Sequence, residues 1–183
     1  SVEELIELAG NKALPAIVRA TALERSTNLP HALELKDIQP FTIDGNDLVR
    51  MASTGLTRNL EQEQKIALLL PLLTDPSKSV RLEAAKAMLG IPPQSVPANK
   101  QADLQQAMTE LQQSLQAKAD YPEGQLLLGG VALTLRSYQA ASQAFKRAVE
   151  MDPQLVDGWV ILIRIQAALG NTTEARNLLL QAL

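Results

Sequence analysis

Apolar residues recur at three- and four-residue spacings along most of the chain, and short turn-rich intervals separate them. The pattern is clearest in 122–183, which reads as two helical hairpins about 34 residues apart. Small residues stand where two helices must approach closely: Gly129, Ala141 and Ala148, then Ala175 and Ala182. Bulky ones fill the space between: Leu128, Phe145, Trp159 and Leu162. Such a hairpin cannot bury its apolar face alone, so it stacks on a neighbour.

A second period precedes it. Val18-Arg19, Val49-Arg50 and Val80-Arg81 follow one another at 31 residues, and Asp44-Gly45 aligns with Asp75-Pro76. The third copy, DPSKSVRLEAAKAMLG, is the most regular. Asp75 is expected to cap its helix, with Pro76 in the first turn and Val80, Ala84, Ala87 and Met88 on one face. Gly90 and Pro92-Pro93 end it. Its partner helix is expected over 60–73, with Ile66, Leu69, Leu70 and Leu73 inward. The first copy predicts helices over 2–9 and 14–25, the second with Leu14, Ile17, Val18, Thr21 and Ala22 buried. The middle copy predicts a short helix near 30–35, an irregular KDIQPFTIDG, and a short helix over 47–54. The repeated arginines either pair with Asp44, Asp75 or a neighbouring Glu, or form a ladder that grips an anion. A repeated position serves the repeat first, which favours pairing.

Between the blocks, IPPQSVPANK (91–100) has three prolines and no periodicity and reads as a linker. A long helix follows over 101–119, with Leu104, Ala107, Met108, Leu111 and Leu115 as its stripe. In 122–183, Ser137 and Asn171 suit helix starts, with Glu174 completing a capping pattern after Asn171. The domain reading is therefore helical repeats over 1–90, a linker over 91–100 and helical repeats over 101–183.

Composition sharpens this. Hydrophobic residues are 46% and aromatics 3%, so Ala and Leu carry the packing, which suits close-packed helices and argues against a β-sandwich. The net charge of −3 and the lack of a basic stripe argue against nucleic acid. No run of about 18 apolar residues exists to cross a membrane. There is no Cys among the 183 residues, which removes disulfides, thiolate metal sites and thioether haem attachment within them. His31 is the only histidine, without a Cys or carboxylate pair beside it. Asp44, Asp47 and Asp75 do not have calcium-loop spacing, and no nucleophile–base pair can be assembled. No catalytic, metal or cofactor-binding residue is assigned, and the chain is not expected to be an enzyme.

The 31-residue copies resemble HEAT-like repeats in their Asp-Pro start, Val-Arg and paired alanines, best over 75–90. Residues 122–183 resemble the tetratricopeptide repeat (TPR): Leu128-Gly129, Ala141, Phe145, Ala148 and Asp152-Pro153, then Trp159, Leu162, Leu169-Gly170, Ala175 and Ala182. They depart from it at Gln125, Ala132, Ile163 and Gln166. Together these imply an all-α fold, an α-α superhelix (solenoid) of HEAT-like hairpins followed by TPR hairpins. TPR resemblance implies a partner-binding face of Leu126, Gly130, Leu133 and Thr134, then Asp157, Val160, Arg164, Ala167 and Ala168. Packing against preceding helices is the competing role for these residues. Only Arg164 is cationic there, so clamping of a terminal carboxylate by several basic residues is not expected. Leu178, Leu179, Leu180 and Leu183 cannot all face the preceding hairpin, which points to docking or a homodimer through the last helix.

Taken together, PAIVRATALE (15–24), 75–92, LQQSLQAKADYPEGQLLLGG and the TPR-like pair resemble a bacterial multihaem c-type cytochrome family. That resemblance implies a periplasmic protein whose helical repeats dock a redox partner or its own haem segment, with c-type haem upstream and none in these residues. The alternative is a structural or oligomerisation module without an electron-transfer link.

Overall fold

The computed structural model describes residues 1–29 and 33–182. They contain no strand, and the class is all-α, of the α-α superhelical repeat type. The expectation for His31, and part of the helix expected near 30–35, lie outside the described residues. The chain divides into two compact units, Ser1–Leu111 and Gln112–Leu183.

The first unit begins with α1 (Val2–Gly10) and α2 (Ala16–Thr27). Then come α3 (Leu35–Thr42) and α4 (Asp47–Ser53), the latter running into a 3-10 turn over Thr54–Asn59. Next is α5 (Gln62–Leu69), tightened into a 3-10 turn at Leu70–Thr74 that carries Pro71, and then α6 (Lys78–Ala87). Ala9, Ala22, Leu23, Ile38, Phe41, Val49, Leu56 and Leu68 make one continuous core.

Three expectations are corrected here. The stretch read as irregular contains α3. Glu34 and Asp37 bond each other's backbone at its start, and Ile38 and Phe41 one turn apart are buried. Burial of that stripe outweighs the single hydrogen bond forgone at Pro40. Second, α2 is rotated from its expected facing. Ile17, Val18 and Thr21 are exposed, while Arg19, Ala20, Ala22, Leu23 and Ser26 are buried. Arg19 turns inward because its partners lie there, and it takes the helix face with it. Third, Asp75 does not cap α6. Its Oδ1 accepts the Ser77 amide (2.9 Å) and closes the turn before the helix, as Asp44 does for Asn46 (2.9 Å).

The proline-rich stretch 91–100 falls within the residues of the first unit. It forms 3-10 turns at Pro93–Ser95 and Ala98–Lys100, with Val96 buried between them. Helix α7 (Gln101–Gln116) follows, with Leu104, Ala107, Leu111 and Leu115 buried and Met108 half-buried.

The second unit holds two hairpins: α8 (Pro122–Thr134) with α9 (Tyr138–Met151), and α10 (Val156–Ala168) with α11 (Thr172–Gln181). Their core is Ala141, Phe145, Val149, Leu162, Ile165 and Leu178. The small residues act where helices cross. A Cβ on Gly129 would lie 2.6 Å from the Phe145 ring, and one on Gly158 would lie 2.9 Å from Val149 Cγ1. The two tight turns use the left-handed backbone at equivalent positions, Arg136 (φ 57°) and Gly170 (φ 82°). Ser137 and Asn171 stand at the helix starts, but neither side chain caps. Asn171 Nδ2 instead donates to Gln166 Oε1 (2.8 Å).

Candidate functional site

Each of the three repeated arginines is engaged by a carboxylate. Arg19 donates from Nη2 to Asp44 Oδ2 (2.5 Å) and from Nε to the Ala9 carbonyl (2.7 Å). Arg50 forks onto Asp75 (2.7 and 2.9 Å) and reaches the Asp44 carbonyl (2.7 Å). Arg81 forks onto Glu110 (2.8 and 2.7 Å) and reaches the Asp75 carbonyl (2.7 Å). Each of the last two therefore ties the loop before its own helix to an acid further along the chain. The planar guanidinium suits this bidentate geometry.

Hydrogen bonds from Arg19, joined by the Asn46 amide, hold the Asp44 carboxyl below its usual range despite its burial. At Asp75 burial is the largest influence and opposes ionisation, but Arg50 and the Ser77 amide outweigh it. The Arg81 hydrogen bonds lower Glu110 in the same way. All three arginines are thus engaged by acids of the same chain. These three arginines leave no cation for an anion-gripping ladder, and each pairs with an acid beyond its own copy of the repeat.

In the second unit the expected partner-binding residues fall on α8 and α10 at equivalent positions. Leu126 pairs with Val160, Gly130 with Arg164, Leu133 with Ala167 and Thr134 with Ala168. Their surroundings differ. Leu126 and Leu133 pack against the unit's core, so much of their surface is used by the fold. Gly130 is half-buried, and Thr134 is exposed, with its hydroxyl donating to the Gly130 carbonyl (3.0 Å). On α10, Asp157, Val160, Arg164, Ala167 and Ala168 are all exposed. Among the described residues Arg164 forms no salt bridge. The face thus offers one open guanidinium beside small apolar side chains, a combination that can take a carboxylate and close van der Waals contact together.

The last helix divides. Leu178 is buried in the core and is not part of any free surface, whereas Leu179 and Leu180 are 51% and 64% exposed. Leu183 lies outside the described residues. Leu179 is the counterpart of Phe145, which is 2% exposed inside the first hairpin.

Two polar contacts, one buried and one half-buried, escaped the sequence reading. Gln125, noted only as a departure from the TPR pattern, is 4% exposed and donates from Nε2 to the Ala119 carbonyl (2.7 Å). Gln166 donates from Nε2 to Ser142 Oγ (2.7 Å), joining α10 to α9. Their position in the repeat was the available signal, since polar residues on an inward face need partners. Among the described residues no group of three metal-ligating side chains occurs, and no helix is long and apolar enough to cross a membrane.

Comparison with known proteins gives one match. Residues 99–156 and 126–183 match the family described as Tetratricopeptide repeat, which makes 99–183 a TPR-like helical-repeat region. No curated protein and no solved structure matches the chain.

Proposed function

We propose that the chain is a non-catalytic scaffold that binds a protein partner through its TPR-like hairpins. The observation that carries this is the exposed face of α10, where Arg164 stands unpaired between Val160 and Ala167. The partner segment would set an acidic side chain against Arg164 and a small apolar one beside Val160. Affinity capture on the intact chain, read by quantitative mass spectrometry, tests this. Partners recovered with the wild type should be lost with Arg164→Glu, and an unchanged set would count against the α10 face.

A second reading rests on Leu179 and Leu180, whose exposure fits self-association through α11. Sedimentation should then show mass rising with concentration, and a strict monomer at high concentration removes that reading. The narrower proposal is that HEAT-like hairpins and the TPR-like region dock a haem-bearing segment of the same periplasmic polypeptide. It is supported by the likeness of 15–24, 75–92, 111–130 and the TPR-like pair taken together, and an upstream reading frame without CxxCH motifs would end it.

A further inference from the structure

A solvent-open groove of about 330 Å³ lies in the first unit between α2 and α4, with Glu83 of α6 at its edge. Positions 24, 55 and 86 are equivalent in the three copies, in α2, in the 3-10 turn after α4 and in α6, and they hold Glu, Gly and Lys. Gly55 leaves the middle of that row without a side chain. A Cβ there would sit 2.9 Å from Thr27 Cγ2, so the backbone approaches α2 closely at this point. Ile17, Leu48 and Met51 give the groove an apolar lining, while Glu24 and Glu83 supply its charge.

Two features are unexplained by the fold. Ile17 is 61% exposed although the repeat pattern favours burying it. The apolar strip continues past it over α2, where Leu8 and Val18 line a neighbouring groove together with Arg25. Glu24 forms no salt bridge among the described residues, and Glu83 has only the partly exposed Lys86 (2.6 Å). Among the described residues no arginine or lysine lines the groove, and the ladder arginines are held by Asp44, Asp75 and Glu110. An apolar lining carrying two carboxylates is complementary to a segment with the opposite charge.

We propose that this groove binds a basic, apolar protein segment, with a hydrophobic side chain against Ile17 and Met51 and a neighbouring Lys or Arg against Glu24 and Glu83. The chain's net charge of −3 favours the encounter with such a segment. This site is separate from the α10 face, which takes the opposite charge, and does not depend on that reading.

The test is a selection of random peptides displayed on phage against the intact wild-type chain, followed by binding of the enriched peptides to variants. The expected result is enrichment of Lys or Arg next to Leu, Ile, Val or Met. Affinity should then fall about tenfold or more for Glu24→Lys with Glu83→Lys. The Glu24→Gln, Glu83→Gln pair should lie between, and Arg164→Glu should bind like wild type. Both carboxylates reach solvent, so melting temperatures of the variants should match wild type, and the Gln pair serves as the reading should the Lys pair melt early. An empty selection, enrichment of acidic peptides, or binding insensitive to both pairs overturns the proposal.

Discussion

Gly129 and Gly130 are adjacent in α8 and meet opposite surroundings. The first presses on the Phe145 ring, where a Cβ would approach to 2.6 Å, while the second has nothing within 4 Å. Neither has the positive φ that would demand glycine. Gly129→Ala should therefore destabilise by about 1–3 kcal/mol, the usual cost of forcing a methyl into a packed core. Gly130→Ala should stabilise by about 0.5–1 kcal/mol, the helix-propensity gain. Thermal or urea melts of the two variants check this, and equal effects would disprove the packing described. At this scale the repeat pattern placed the close approach at Gly129 and left Gly130 on the outer face, and the structure added that the Phe145 ring is what Gly129 meets.

At the scale of the elements, the arginine ladder ties helix to loop three times, with decreasing burial. Arg19 and Asp44 side chains are each 7% exposed, Arg50 and Asp75 are 14% and 6%, and Arg81 and Glu110 are 25% and 22%. Removing one partner of a buried pair leaves an uncompensated charge out of water. Arg50→Ala should therefore cost about 3 kcal/mol, and Arg81→Ala nearer 1 kcal/mol because solvent screens Glu110. Urea denaturation gives both values, and a reversed order would refute burial as the cause. The pairing itself was legible, since a residue type repeated at a fixed interval beside recurrent acids reads as a ladder. The rotation of α2 was not, because Ile17, Val18 and Ala22 have helical spacing whichever face turns inward. Helix α3 was hidden by Pro40, whose local effect was read without knowledge of the core that Ile38 and Phe41 enter.

Across the molecule the three ladder carboxylates act together on acid stability. Asp44, Asp75 and Glu110 are all held below their ordinary pKa values, so the fold favours their charged forms. A depressed carboxylate stabilises the fold fully above its unfolded pKa, and that contribution is lost as pH falls through the folded value. The urea midpoint should thus be insensitive to these groups at neutral pH and should fall below about pH 4. With Arg50→Ala the fall should be shallower, and a midpoint that rises on acidification would contradict the ladder. By themselves, the residues determine the all-α class, the periods of 31 and 34, the turn positions and the identity of the paired arginines. Those features follow from helical spacing, backbone preferences of Gly and Pro, and repetition, all of which are local. Only the tertiary structure decided which face of α2 is buried, that Leu178 is core while Leu179 is open, and that a groove lies between α2 and α4. Each of these depends on which neighbour occupies the space beside a residue, and that neighbour lies on another element.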